Sequence, residues 1–189
     1  MPLHTRRNLL GAFAGAAAVS DASAVSAIKV TDGRMLTCGS LVVPCIVGRS
    51  GVSHDKHEGD GATPAGSFPL HRLLYRPDKM SAPATMLPSG PLTPTDGWCD
   101  DPADPAYNEM VQLPYPASHE ELWRRDEVYD VLVVIGYNDT PVVRGRGSAI
   151  FLHVARPGMT GTDGCVGLLM PDLLKVIARC RAGTKIDIS

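Results

Sequence analysis

The stretch from Pro77 to Pro116 constrains this chain most, because nine of its 16 prolines fall there. Each proline removes a backbone N–H and fixes φ, so neither a helix interior nor a central strand tolerates that spacing. "PDKMSAPATMLPSGPLTPTDGWCDDPADPAYNEMVQLPYP" therefore reads as one long loop. A loop of that length inside a compact domain serves as a lid or a binding surface. Trp98, Trp123, Tyr107, Tyr115 and Tyr129 lie in or beside it and read as its own small core.

Regular structure has to come from the flanks. "IKVTDGRMLTCGSLVVPCIVGRSGV" gives short apolar runs broken by turn residues, the pattern of a β-hairpin and a following strand. "SHDKHEGDGATPAG" is a polar, glycine-rich loop, and "GSFPLHRLLYR" resumes as a strand. "SHEELWRRDEVYD" predicts a short helix, with Ser118 as N-cap and Glu121 completing a capping box. "DVLVVIGYN" is the clearest buried strand, and "TPVVRGRGSAIFLHVA" predicts two more joined by a glycine-rich turn. "PDLLKVIARCRAG" predicts a helix stopped by Gly183, and "TKIDI" a last strand. There is no βαβ rhythm and no repeat, so the expected class is mainly β: a sandwich or partly closed barrel carrying a C-terminal helix and the proline-rich central loop.

At 189 residues there is room for one domain with a real core. A formal net charge of −2 and the lack of any basic run give no footprint for nucleic acid. "MPLHTRRNLLGAFAGAAAVSDASAVSA" places Arg6 and Arg7 ahead of a short apolar run and two small-x-small sites. That is the order of an export signal over residues 1–27, and "TRRNLL" resembles a twin-arginine signal. The expected mature chain begins near Val25 or Ile28, carries one catalytic domain over 28–189, and works in the periplasm or cell envelope. Cys38, Cys45, Cys99, Cys165 and Cys180 make an odd set. Cys38 with Cys45 and Cys99 with Cys180 are candidate bridges, while buried free thiols fit the absence of a dense spacing framework better.

Several motifs carry little. "GDGATPAG" lacks the Gly-Lys-Ser/Thr ending of a phosphate loop and opens a strand. His54 and His57 have no third ligand in sight, and "DDPADP" lacks calcium-loop spacing, so no metal is expected. "HVARPGMTGTDGCVGL" carries more. His153 ends an apolar run, and Gly164-Cys165 follows a loop of Gly, Thr and Pro ahead of the last helix. A free thiol is mostly protonated at neutral pH, so a nucleophilic cysteine needs a base that takes its proton. A helix starting just after Cys165 would aim its N–H groups at a developing oxyanion. The pattern fits acyl transfer, against a structural cysteine and a core histidine.

"IFLHVARPGMTGTDGCVGL" resembles the signature of the YkuD-type L,D-transpeptidases, in which a His after a core strand precedes Ser/Thr-x-Gly-Cys. "GDGATPAGSFPL" resembles that family's Thr-Pro-x-Gly-x-Phe segment, and "GSAIFLH" its Ile-x-x-His strand. The resemblance implies a cell-envelope acyltransferase that builds or edits peptidoglycan stem peptides, is β-rich and needs no cofactor or metal. The expected oligomeric state is a monomer. The resemblance makes Cys165 the nucleophile and His153 the general base and acid, with Thr162, Asp163 and Gly164 shaping the loop. Asp163 and Gly167 depart from the common Ser-His-Gly-Cys form, which carries an Arg or Asn shortly after the cysteine. Thr-x-Gly-Cys is closer to a subgroup for which donors at the third and the first stem residue are both open. Arg144, Arg146, Arg156 and Tyr137 are candidate substrate contacts. The alternatives are an amidase or L,D-carboxypeptidase on the same scaffold, and a non-catalytic wall-binding module.

Overall fold

The computed structural model describes residues 24–31 and 34–189. Of the expected export segment, residues 1–23 lie outside the described residues. Fourteen strands and one helix follow one another: β1 Ala27–Thr31, β2 Met35–Cys38, β3 Leu41–Pro44, β4 Val52–Ser53, β5 Thr63–Pro64, β6 Gly66–Tyr75, β7 Ser89–Pro91, β8 Asp96–Cys99, β9 Met110–Gln112, β10 His119–Glu121, β11 Val131–Ile135, β12 Phe151–Val154, β13 Val166–Leu168, α1 Met170–Ile177 and β14 Lys185–Ile188.

The principal sheet runs β13-β12-β11-β6-β14-β1-β2-β3, with β7 added to β6. The ten-residue β6 is its spine. Gly66–Pro69 pair antiparallel with β14, and Leu70–Tyr75 pair with β11. β1 pairs parallel to β14, Ile28 beside Ile186, so the two ends of the fold lie side by side. Past β3 the chain bends until Ile46 meets Gly167 of β13, each N–H donating to the other's carbonyl at 2.9 Å. That bridge brings the two edges of the sheet together into a nearly closed barrel. The fold is mainly β, as its sequence pattern requires.

Two faces explain two cores. In β11, Val131, Val133 and Ile135 point into the main core with Leu36, Leu73, Leu152 and Ile186. Leu132 and Val134 alternate to the other side, against Trp98, Tyr129, Phe151 and Cys165. In β12 the same period-2 alternation sends Leu152 and Val154 to the main core and Phe151 to the second cluster. His153 lies on the Phe151 side, its ring edge-on to Tyr129. α1 closes the main core with Leu173, Val176 and Ile177, and carries Pro171 and Asp172 in its first turn, where neither costs a hydrogen bond.

Four sequence expectations are corrected. The segment read as a helix at 118–130 begins instead with β10, whose Glu120 pairs with Trp98 and Glu121 with Gly97 of β8. A neighbouring strand supplies the partners that the capping box would have supplied. The proline-rich stretch is not structureless: β8 and β9 are free of proline and pair antiparallel within it, and of its strands only the short β7, at Pro91, holds a proline. Residues 140–149 form turns rather than a strand. The last helix ends at Ile177, and Gly183, at φ +89°, sits in the turn that feeds β14.

Candidate active site

His153 and Cys165 come from adjacent parallel strands. Leu152 of β12 is level with Val166 of β13, so Cys165 arrives level with Phe151. Its Sγ donates to the Ala149 carbonyl at 3.1 Å and accepts the Phe151 N–H at 3.3 Å. His153 stands two residues further along β12, and both side chains line one cleft of about 1130 Å³. Val154 O can only accept, so the 2.9 Å bond to it makes Nδ1 of His153 the protonated nitrogen. Nε2 is thereby left as the basic one.

The turn ahead of Cys165 is held from both sides. Thr162 Oγ1 donates to the Cys165 carbonyl at 2.6 Å and accepts the Gly164 N–H at 3.1 Å. Thr63, from the "ATPAG" segment, donates to the same carbonyl at 3.4 Å and accepts the Gly48 N–H at 2.8 Å. Gly164 has φ +142°, and a Cβ there would lie 2.9 Å from the Ala62 carbonyl. Only glycine meets both requirements. Lys56 is buried below this turn, its Nζ donating to Asp60 at 2.6 Å and to the His57 carbonyl at 2.8 Å.

Burial decides the resting charge state. It lowers the His153 pKa to about 4. It pushes the Cys165 thiol up to about 12, with the Glu120 charge adding and the Phe151 N–H, Lys56 and the Tyr129 hydroxyl opposing. The pair therefore rests as neutral thiol and neutral imidazole. The expected helix N-terminus is not at the cysteine. β13 intervenes, and α1 starts only at Met170, because Val166–Leu168 are taken into the sheet beside β12. No oxyanion role follows for that helix.

The charged residues sort clearly. Arg156 lines the cleft, together with Arg49, Arg124 and Arg125. Asp163, also at the rim, is exposed and ion-paired with Arg49, so its charge is locally compensated. Arg144 donates instead to the carbonyls of Pro102 and Ala103, at 3.1 and 2.8 Å. Arg146 pairs with Asp55 at 2.8 Å. Tyr137 donates to the Arg146 carbonyl and packs edge-on against Phe68. None of these last three lines the cleft. Gly167 is filled from above: a Cβ there would meet Ile46 Cγ1 at 2.8 Å, which leaves no place for a longer side chain.

The sequence gives no sign of Glu120 or Arg124 at the cleft and reads Tyr129 only as loop core. The Tyr129 hydroxyl donates to Glu120 at 2.6 Å, and Arg124 lies over the Tyr129 ring while gripping Asp126 through two bonds of 2.9 and 2.7 Å. A helix over 118–130 would have set Tyr129 nine residues along the axis from Glu120, out of hydrogen-bond range; β10 lets the two meet. The five cysteines are free and buried, as the buried-thiol reading expects. Among the described residues no cluster of His, Cys, Asp and Glu could hold a metal ion.

Taken together, a thiol, an imidazole and a glycine turn meet at one cleft in a nearly closed, mainly β sheet. The family model of the YkuD L,D-transpeptidase catalytic domain matches residues 24–188, and the chain belongs to this family. No curated protein and no solved structure matches the chain.

Proposed function

We propose that the protein is an exported L,D-transpeptidase that cross-links peptidoglycan stem peptides through a thioester on Cys165. The observation that carries the reading is the placement of Cys165 and His153 on one wall of one cleft, in a chain of this family. His153 Nε2 takes the thiol proton as Sγ adds to the carbonyl of an L-residue joined to a D-residue. The tetrahedral intermediate collapses, the C–N bond breaks, and the same nitrogen returns the proton to the leaving amine. The amine of a second stem peptide then attacks the thioester, giving its proton to His153 and releasing the Cys165 thiolate, which is reprotonated.

The donor carboxylate is placed at Arg156 on the rim, since Gly167 offers no side chain, Arg49 is paired with Asp163, and Arg144 and Arg146 are engaged elsewhere. Moving the cation from the usual position favours a donor seated with its first stem residue at the sulfur. Incubation with purified stem peptides tests the reaction: dimers support it, shortened monomers indicate hydrolysis, and unchanged peptide rejects both. The mass of the fragment trapped on Cys165 settles the register. An L-alanyl-linked muramyl fragment supports the first position, and a fragment ending at the third residue rules it out.

Export is part of the same reading. Cleavage after Ala24 would keep the Val25 N–H bond to the Arg179 carbonyl, 3.0 Å, and the Thr184 bond to the Val25 carbonyl, 2.8 Å; cleavage after Ala27 would remove both. Sequencing the N-terminus of protein recovered from the envelope distinguishes the two sites, and recovery only from the cytoplasm rejects export.

A further inference from the structure

The proline-rich stretch has no part in the acyl transfer just described, yet it reaches the sulfur through two hydrogen bonds in series. Tyr107 and Asn108 lie buried in the loop between β8 and β9. Their side chains grip the segment ahead of β12. The Tyr107 hydroxyl accepts the Gly147 N–H at 3.0 Å, and Asn108 Oδ1 accepts the Ala149 N–H at 3.0 Å. The Ala149 carbonyl in turn accepts the Cys165 S–H at 3.1 Å.

Asn108 has no freedom to turn its amide. The same oxygen takes the Trp98 Nε1–H at 3.0 Å, and Nδ2 donates to the carbonyls of Tyr137 and Asn138 at 3.0 and 2.9 Å. A flipped amide would set N–H against N–H on one side and oxygen against oxygen on the other. Its backbone is fixed as well, the Asn108 N–H donating to the Cys99 carbonyl at 2.9 Å. Ala149 needs such an anchor. Its φ is +53°, a left-handed conformation that a residue with a Cβ avoids and that alanine has no polar side chain to support.

The anchored carbonyl acts on the thiol in two ways. Its partial negative charge favours S–H over thiolate, and it draws the proton to its own side. Cys165 is level with Phe151; Ala149 stands two residues before that point and His153 two residues after it. Among the described residues the thiol bonds to Ala149 and Phe151, and no hydrogen bond joins it to the His153 ring.

We propose that Asn108 is a positioning residue for Cys165: it holds the Ala149 carbonyl on the thiol hydrogen, so that the proton stays off His153 until the S–H turns about the Cβ–Sγ bond. No bond between heavy atoms changes. The inference rests on Cys165 being the reactive thiol, and its test needs no peptidoglycan.

The test is the rate of Cys165 alkylation by iodoacetamide at neutral pH, read by peptide mass. Asn108→Ala releases the Ala149 N–H and should speed alkylation about fivefold, the worth of one neutral hydrogen bond. Asn108→Asp keeps an oxygen for Trp98 and Ala149 and loses only the bonds to residues 137 and 138, so it should bring no acceleration. Cys99 is the internal control: it is buried, lies off the cleft, and pairs through its backbone with Asn108 and Glu109, so its alkylation reports loosening of the same loop. A wild-type rate in Asn108→Ala overturns the proposal. So does equal acceleration in both variants, or a Cys99 that speeds up alongside Cys165, since reactivity then follows lost packing. Should Asn108→Ala fail to fold, the infrared S–H stretch of Cys165, isolated by subtracting the spectrum of Cys165→Ala, decides. The band should lie below the free-thiol position in wild type and in Asn108→Asp, and should stay there in His153→Ala. A band at the free-thiol position, or one that moves there when the imidazole is removed, overturns the proposal. The expected alkylation pattern together with unchanged stem peptides would keep this inference and reject the transpeptidase reading.

Discussion

Residue by residue, the chemistry depends on a few atoms with little tolerance. Cys165→Ala should abolish cross-linking in a stem-peptide assay and leave the fold intact, since no other thiol lines the cleft. His153→Ala should cost about 10²–10⁴ in rate, the span of a positioned acid–base group. An unchanged rate would move the base elsewhere. His153 also links stability to pH. Its folded pKa is about 4, against 6.5 unperturbed, so between those values the unfolded chain binds the extra proton. The stability tied to the neutral ring is complete above pH 6.5 and is lost as pH falls toward 4, about 3 kcal/mol in all. Urea melts of wild type and His153→Gln across that window check the sign: wild type should lose more on acidification than the variant. Gly164→Ala places a Cβ 2.9 Å from the Ala62 carbonyl at a φ that disfavours any side chain. It should lower stability by about 1–3 kcal/mol and slow Cys165 alkylation as the turn shifts.

Among the elements, those with a strong period of their own were legible. β6, β11 and β14 follow from apolar runs bounded by turns, and α1 from its stripe of Leu173, Val176 and Ile177. Leu173 is fully buried, so Leu173→Ala should cost about 2–5 kcal/mol by thermal or urea unfolding. The elements that were not legible owe their form to a partner far away in the chain. β10 is a strand because β8 lies beside it, and β8 is a strand because β9 and β10 flank it. Nothing in "SHEELWRR" announces that, and its local preference is helical. The same holds at the cleft. Cys165 and His153 stood out as a spaced pair bounding a glycine-rich loop. Tyr129 and Glu120 did not, because their meeting depends on the β8–β10 ladder. Arg144 and Arg146 had the right charge near the right strand, and only the turns at 140–149 carry them away from the cleft.

At the scale of the molecule, β14 matters out of proportion to its four residues. It sits between β6 and β1, and through β1 it carries β2 and β3, the segment whose continuation reaches β13 at Ile46. Deleting residues 185–189 should leave β6 and β1 with open edges and give aggregated protein, read as loss of the monomer peak in size-exclusion chromatography. A soluble truncated monomer that still alkylates at Cys165 would show the N-terminal hairpin to be dispensable. The same arrangement orders events during synthesis. Of the described strands, β1, β2 and β3 are translated before the rest, yet the parallel neighbour of β1, β14, comes after all the others. The hairpin therefore waits, unpaired on one side, until the rest of the domain has emerged, and the barrel closes only after translation has passed residue 188.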